Sequence, residues 1–437
     1  MIGEHESGAR GPTSSRSAIT YIIGTFPLLT TTFIDREIAA LRAREIELNV
    51  IAMRRPDPAT PLSIDQKRFL DETTYVIPIR WRTLILSHLR FAFDRPARFF
   101  GTLIYLLTRH HPDLKARLKT VLHFAEGVYT AGLLVGTKCD EIHAHFADRA
   151  ATVALVAGRL LDKPYSLSIH AGADIFVEPI LLREKVLGAR RVVTCTSHNV
   201  SHIVSVAGDD VRSKLSHVRH GLELSLYEPG FPEKVDPPTI LSVGQLAERK
   251  GFADLVLACG HLAAGGYAFR CRILGDGPQR ERLERLIVQL SLENVVELGG
   301  AVAHEEVIAS YRQAAMFVLP CFRTKNGDVD GIPNVLAEAM ASRLPVISSR
   351  LPAITELVED GRNGLLVPPA DVPALTRSIR TLIERPALRR RLADEGLKTV
   401  HEVFNLTTNI DRFAETMWPE WTHDEDDATY GGKIAAG

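Results

Sequence analysis

From Thr239 onward, short apolar runs alternate with amphipathic stretches, and this alternation narrows the possible folds more than any other feature of the chain. Thr239 to Val243, Phe269 to Leu274, Val295 to Leu298, Met316 to Pro320 and Pro345 to Ser348 are short, aliphatic and bounded by turn residues. Each therefore reads as a strand buried on both faces, and Leu365 to Val367 as a last short one. Helical stretches lie between and after them: Phe252 to Ala264, Gln279 to Leu290, Glu305 to Ala314, Asp371 to Arg385 and Ala387 to Glu402. A parallel strand pair needs a crossover long enough for a helix, so the pattern specifies an α/β, doubly wound parallel sheet. The first half opens the same way, with a strand at Ile19 to Gly24, a helix at Thr31 to Arg44 and a strand at Glu47 to Met53. Asp140 to Phe146, Tyr165 to Ile169 and Arg191 to Cys195 extend that series, with a helix at Ala150 to Leu161. The Pro-rich, charged stretch from Tyr227 to Pro238 interrupts it. The expected organisation is a domain over 18–228, a linker at 229–238 and a second domain over 239–404. A C-terminal helix at 405–423 is expected to return to the first domain, with unstructured ends at 1–17 and 424–437. Two such domains leave a cleft between them, a natural ligand site.

Composition removes several function classes. With 437 residues and a net charge of −1, the chain has the size for two or three domains and no charge excess favouring nucleic acid. Its five cysteines are scattered and form no CxxC pair, which fits a reduced, cytoplasmic protein without structural zinc. No apolar run reaches the roughly twenty residues of a membrane span. Glu4 and Glu6 argue against a signal peptide. One segment departs from this neutral balance. Between residues 80 and 119, Arg80, Arg82, Arg90, Arg95, Arg98, Arg109, Lys115, Arg117 and Lys119 stand against only Asp94 and Asp113. Trp81, Phe91, Phe93, Phe99, Phe100 and Tyr105 are interleaved with them. That mixture suits an anionic membrane surface or an acidic, lipid-linked acceptor, the alternative being two amphipathic helices with a solvated basic face.

The richest stretch for chemistry is Asp328 to Glu338, a loop leading into a helix. Gly331 permits the turn, and Pro333 suits the first helical position. The N–H groups of Ile332, Asn334 and Val335 would then face an anion, with the carboxylates Asp330 and Glu338 on either side. Carboxylates beside an anion site suit a ligand that carries hydroxyls next to phosphates; the plainer alternative is a capping Asp and a surface Glu. Other candidates follow predicted strand ends, where open parallel sheets place their ligands. They are Thr31 and Thr32 after the first strand, His170 after Ile169, and Arg249 and Lys250 in the Gly244 to Gly251 loop. His143 and His145 alternate along a strand and share a face, but too few ligands converge there to expect a metal.

Four motifs occur in order: Val243-Gly-Gln-Leu-Ala-Glu-Arg-Lys-Gly251, Leu274-Gly-Asp-Gly-Pro278, Asp330-Gly-Ile-Pro-Asn-Val-Leu-Ala-Glu-Ala-Met-Ala341, and Leu344-Pro-Val-Ile through Asp360-Gly-Arg-Asn-Gly-Leu-Leu-Val-Pro-Pro369. Over residues 239 to 375 this resembles glycosyltransferase family 4, retaining enzymes of the GT-B fold, which has two Rossmann-like domains facing across a cleft. Thr25-Phe-Pro-Leu-Leu-Thr-Thr-Thr-Phe-Ile34, His143-Ala-His-Phe146 and His170-Ala-Gly-Ala-Asp174 resemble the branch that assembles bacterial exopolysaccharide, including the colanic-acid type. The resemblance implies retaining, metal-independent transfer of a sugar from a UDP- or GDP-sugar to a glycan acceptor, expected to be lipid-linked, at the inner face of a bacterial membrane, with no cofactor. It assigns the catalytic positions to His170, Asp330 and Lys250, with Asp330 standing where the family has its first glutamate. Glu338 would hold the donor ribose. Gln245, Arg249, Lys250, Gly275, Gly277, Gly331, Ile332, Pro333 and Asn334 would complete the donor site. Thr31, Thr32, His145 and Asp174 are the acceptor-side candidates. The family carries arginine where Gln245 stands, and Arg249 is the residue able to supply that charge. These two departures, Gln245 and Asp330, leave open a nucleotide-sugar-binding partner without turnover; a GT-B enzyme of other chemistry, such as an epimerase, also stays open. No lysine site for a pyridoxal cofactor is recognisable, which counts against a phosphorylase.

Overall fold

The computed structural model describes residues 17–227 and 237–422; the expected unstructured ends and most of the expected linker lie outside the described residues. Two parallel sheets carry the architecture. The first contains β1 (Ala18–Thr25), β2 (Glu47–Arg54), β3 (Thr73–Tyr75), β4 (Glu141–His145), β5 (Tyr165–Ile169), β6 (Val192–Thr194) and β7 (Leu215–His217). Its strand order is β3-β2-β1-β4-β5-β6-β7. The second contains β8 (Thr239–Val243), β9 (Arg270–Leu274), β10 (Val296–Gly300), β11 (Met316–Leu319), β12 (Val346–Ser349) and β13 (Leu365–Val367), in the order β10-β9-β8-β11-β12-β13. The expected α/β class, with two doubly wound parallel sheets, is what forms. In each sheet the order reverses at one point, between β1 and β4 and between β8 and β11. At such a point neighbouring loops leave in opposite directions and open a crevice at the carboxyl ends of the strands.

Both faces of each sheet are covered, which is why most strands are apolar; where β4 and β5 bury polar side chains they pair with one another, His143 with Ser166 and Ser168. Five helices of the first half matter below: α1 (Thr32–Ala43), α2 (Ile64–Glu72), α3 (Trp81–Asp94), α4 (Pro96–Thr108) and α5 (Leu114–Leu134). On one face, Ile22 and Ile142 pack with Phe91, Phe99, Phe124 and Val128 from α3 to α5. On the other, Ile19, Tyr21 and Ile23 pack with Ile34 and Ile38 of α1 and with Phe413, Met417 and Trp418. The last three belong to the helix Leu406–Met417 and the residue after it, so the C-terminus covers the first sheet. The chain crosses back at Phe404 to Leu406, where Leu222 donates to the Phe404 carbonyl and receives from the Leu406 N–H.

Several elements differ from the sequence reading. The basic, aromatic segment forms three helices rather than two, and α5 runs on to Leu134. Tyr227, expected at the edge of the linker, is 1% exposed and packs in the core of the second domain. Pro333 sits at the N-cap of the helix Asn334–Ala341, one position earlier than expected. Among the described residues no helix is long and apolar enough to cross a membrane.

Candidate functional site

The carboxyl ends of the two sheets face each other across a cleft of about 630 Å³, lined from both halves of the chain. The floor on the C-terminal side is the β8 loop. Gly251 closes it in the left-handed region at φ 73°, where an added Cβ would lie 2.0 Å from the Pro320 carbonyl oxygen. Only glycine fits there, and the turn delivers Arg249 and Lys250 to the cleft. Gly275 makes the matching approach from the β9 loop, its absent Cβ 1.9 Å from the Gly244 carbonyl oxygen.

Asp330 receives both cations. Lys250 Nζ is 3.0 Å from Oδ2 and Arg249 Nε 3.0 Å from Oδ1. A second arm of Arg249 reaches Asp328 Oδ2 at 3.1 Å. Burial pushes the Asp330 carboxyl up, but Lys250 and Arg249 outweigh it and hold the group below the usual carboxylate range. Both carboxylates of Asp328-Val-Asp330 are thus turned to Arg249. Arg249 Nη2 also reaches Gln245 Oε1, at 3.4 Å, so Arg249 occupies the neighbourhood that Gln245 leaves without charge. Lys250 and Arg249 each retain N–H donors beyond those given to Asp330 and Asp328.

Above them begins the helix Asn334–Ala341, whose N-terminus has no side-chain cap. Gly331, Ile332, Pro333, Asn334 and Val335 line the cleft, leaving first-turn N–H groups available to an anion. Glu338 lies one turn on and is 2% exposed. Arg36 Nη2 of α1 binds its Oε1 at 2.8 Å, and Tyr311 donates to Oε2 at 3.2 Å. Burial alone would raise this carboxyl; Arg36 and His304 reverse that and bring it down to about 2. Tyr227 completes the group, its hydroxyl 3.2 Å from Arg36 Nη2 and 3.1 Å from His304 Nε2.

The N-terminal wall is aromatic. Thr31, Thr32 and Phe33 at the start of α1 line the cleft with His170 and His220. Phe33 stacks on the His220 ring at 4.3 Å and 11°. Three histidines form a line: His145 Nδ1 to His170 Nε2 at 3.1 Å, then His170 Nδ1 to His220 Nε2 at 3.0 Å. His220 Nδ1 ends the line 3.4 Å from Asn334 Oδ1, across the cleft. Burial drives His220 down to about 4 and His170 well below the ordinary histidine range, so both are neutral near pH 7. Each junction then needs one ring N–H facing one lone pair, so the tautomers along the line are coupled.

The cleft therefore unites His170, Asp330, Lys250, Gln245, Arg249, Gly275, Glu338, Thr31 and Thr32 with the Gly331 to Asn334 turn. Three candidates lie off its lining. His145 is fully buried behind His170 and contacts the cleft only through that ring. Asp174 is turned inward, accepting the Ala147 N–H at 2.6 Å, and burial together with Asp148 raises it to about 6. Gly277 serves the turn, since a Cβ there would lie 2.8 Å from the Leu246 carbonyl oxygen. Arg36, His220, His304, Tyr227 and Tyr311 were not singled out from sequence. Of these only His220 carried a signal, because it follows β7 as His170 follows β5.

Residues 227–399 match the family described as glycosyl transferases group 1. The chain is 29% identical to the putative colanic acid biosynthesis glycosyltransferase WcaL of Salmonella typhimurium, over 82% of this chain and 88% of that protein. It is 35% identical to the amylovoran biosynthesis glycosyltransferase AmsK of Erwinia amylovora, over 40% of this chain and 43% of that one. Anabaena HepE, solved in complex with UDP, superposes with a TM-score of 0.64 at 15% identity, over 92% of this chain and 99% of that structure, a likeness of fold.

Proposed function

The chain belongs to the group 1 glycosyltransferases and has the GT-B fold, and from that premise we propose that it transfers a sugar from a UDP- or GDP-sugar to a lipid-linked glycan during exopolysaccharide assembly, peripherally at the inner face of a bacterial membrane. The observation that carries the reading is the meeting of Lys250, Arg249, an uncapped helix N-terminus and the ionised Glu338 in one cleft. As the bond from sugar to phosphate breaks, negative charge grows on the leaving diphosphate. Two cations and backbone N–H donors held in advance stabilise that charge without reorganising. An ionised carboxylate one helical turn away accepts from ribose hydroxyls. Asp330, held between Lys250 and Arg249, keeps both cations at the phosphate end and presents its remaining lone pairs to the sugar. His170 and His220 form the wall opposite, with neutral rings suited to a sugar rather than to an anion. In this reading the anomeric configuration is retained and no metal is required.

A thermal-shift panel of nucleoside diphosphates and their sugar conjugates tests the donor site. Binding at 100 times Kd adds about 2.7 kcal/mol to stability, so either the uridine or the guanosine series should raise the melting temperature clearly. Glu338→Ala should lose that rise and the incorporation of labelled sugar. Unchanged turnover in Glu338→Ala, or no response to any nucleotide, would overturn the assignment. Product anomer analysis and assay with a chelator test retention and metal independence.

A further inference from the structure

The three helices α3, α4 and α5 turn a large apolar surface to solvent, and we infer that this surface docks the protein on an anionic lipid bilayer. On α3, Trp81, Ile85, Leu89 and Phe93 recur every fourth residue, with Trp81 71% and Phe93 79% exposed. Phe100 and Ile104 repeat the spacing on α4. Leu114, Leu118 and Leu122 repeat it on the first half of α5, where Leu114 is 80% exposed. The opposite faces of the same helices hold Phe91, Phe99 and Phe124 in the core. Folding has therefore already used one side of each helix, and the second side is surplus to it. Monomeric soluble proteins rarely leave contiguous apolar patches of more than a few hundred Å² in water.

Charge decides the occupant. Exposed Arg82, Arg109, Lys115 and Arg117 are interspersed with these apolar side chains, together with Arg90 and Arg98, which pair with Asp94 and Asp162. The two acids of the segment are already engaged: Asp94 lies 3.7 Å from Arg90, and Asp113 caps α5 through the Ala116 N–H. A twofold contact with a second copy would press this cationic rim against itself, because an isologous interface repeats the same patch on both sides. An anionic bilayer satisfies both components. Its acyl boundary takes the leucines, isoleucines and aromatics, and its headgroups take the arginines and lysines. The first half of α5 stands at the end of the sheet that carries the cleft, while the corner between α3 and α4 lies at the other end, where Arg95 donates to the Leu160 carbonyl and Arg98 pairs with Asp162. Lys119 on α5 pairs at 2.9 Å with Glu178, shortly after the loop that carries His170, and Glu126 pairs with Arg149 just past β4. Docking would lay this flank of the first domain along the bilayer, with the start of α5 bringing the cleft end to the headgroup layer, where a lipid-linked glycan presents its sugar.

This inference rests on the proposed lipid-linked acceptor, yet the two can fail separately, because nucleotide-induced melting shifts report on the cleft and vesicle flotation on the helices. Wild-type protein is floated with vesicles of phosphatidylcholine alone and with phosphatidylglycerol added, at low and high salt. Flotation is expected with the anionic vesicles, decreasing with salt. The double substitutions Ile85→Glu with Leu89→Glu, and Leu118→Glu with Leu122→Glu, should each reduce the floated fraction at least tenfold while keeping the wild-type melting shift with nucleotide. Arg82→Glu with Arg90→Glu should remove mainly the salt-sensitive part. The inference is overturned if wild type stays in the dense fraction at low salt, or if folded variants float as wild type does. It is also overturned if sizing chromatography shows a dimer that these substitutions split without changing flotation.

Discussion

Arg36 shows how much one residue can decide. Its guanidinium comes from α1 and meets Glu338, which is 302 positions away in sequence, with the paired side chains only 10% and 3% exposed. Removing one partner of a buried pair leaves the other charge without compensation, which costs about 3 to 5 kcal/mol. Arg36→Ala is accordingly expected to lower stability by about 3 kcal/mol in urea titration and to weaken donor binding about tenfold by calorimetry. Because Glu338 is held at about 2, below its unfolded range, its contribution is fully present above about pH 4.3 and is lost as pH falls toward 2. In Arg36→Ala that loss should begin at higher pH. Asp35, its neighbour, behaves oppositely. Its Oδ2 accepts from Gln66 at 2.7 Å, while Oδ1 is buried without a hydrogen-bond partner among the described residues, and burial raises the carboxyl to about 7. A folded value above the unfolded one gives stability that is complete below about pH 4 and is lost as pH rises through 7. Asp35→Asn should therefore gain about 2 kcal/mol over wild type on going from pH 5 to pH 8, as read from denaturation at each pH.

At the scale of elements, the site is a set of loops at strand carboxyl ends, and their geometry rests on a few backbone positions. Gly251→Ala combines a left-handed φ of 73° with a Cβ 2.0 Å from the Pro320 carbonyl oxygen. It should cost about 1 to 3 kcal/mol in melting experiments and lower turnover more than stability, because the displaced residue adjoins Lys250. The histidine line joins elements of both halves, running from β4 through the β5 and β7 loops to the start of the helix Asn334–Ala341. Most strands were legible, since a parallel strand buried on both faces is largely apolar, but β3 and β7, three residues each with polar side chains among them, were not read from the sequence. The α3 to α5 region was less legible. Its composition showed cations among aromatics but not which aromatics would face inward, and Phe91 and Phe99 turned into the core while Trp81 and Phe93 did not.

Across the whole molecule, the two halves are joined by polar contacts at the cleft and by the C-terminal helix. Glu356 of the second half accepts the N–H groups of Ser197 and His198 at 3.0 and 2.9 Å, at the start of a helix of the first half. The helix Leu406–Met417 closes one face of the first sheet, so its loss would uncover Ile19, Tyr21 and Ile23. Phe413→Ala is expected to cost about 3 to 5 kcal/mol in urea unfolding, the usual range for a buried phenylalanine, though it lies in the last tenth of the chain. A stability loss under about 1 kcal/mol would show that the helix packs without supporting the first domain.

By itself the sequence determined the alternation of strand and helix, and with it two parallel sheets and the loops that face the cleft. It also determined the residue types for an anion and a sugar: Lys250, Arg249, Asp330, Glu338 and the glycine turns. Both follow from local constraints, periodicity and turn chemistry, which act over a few residues. Only the tertiary structure decided what each charge meets. It gave Glu338 the guanidinium of Arg36, gave Asp330 two cations, put Asp174 behind the wall and extended His170 into a line of three rings. Those outcomes depend on burial and on distances between segments far apart in the chain, and the same two quantities set the strength of a charge in a low-dielectric cleft.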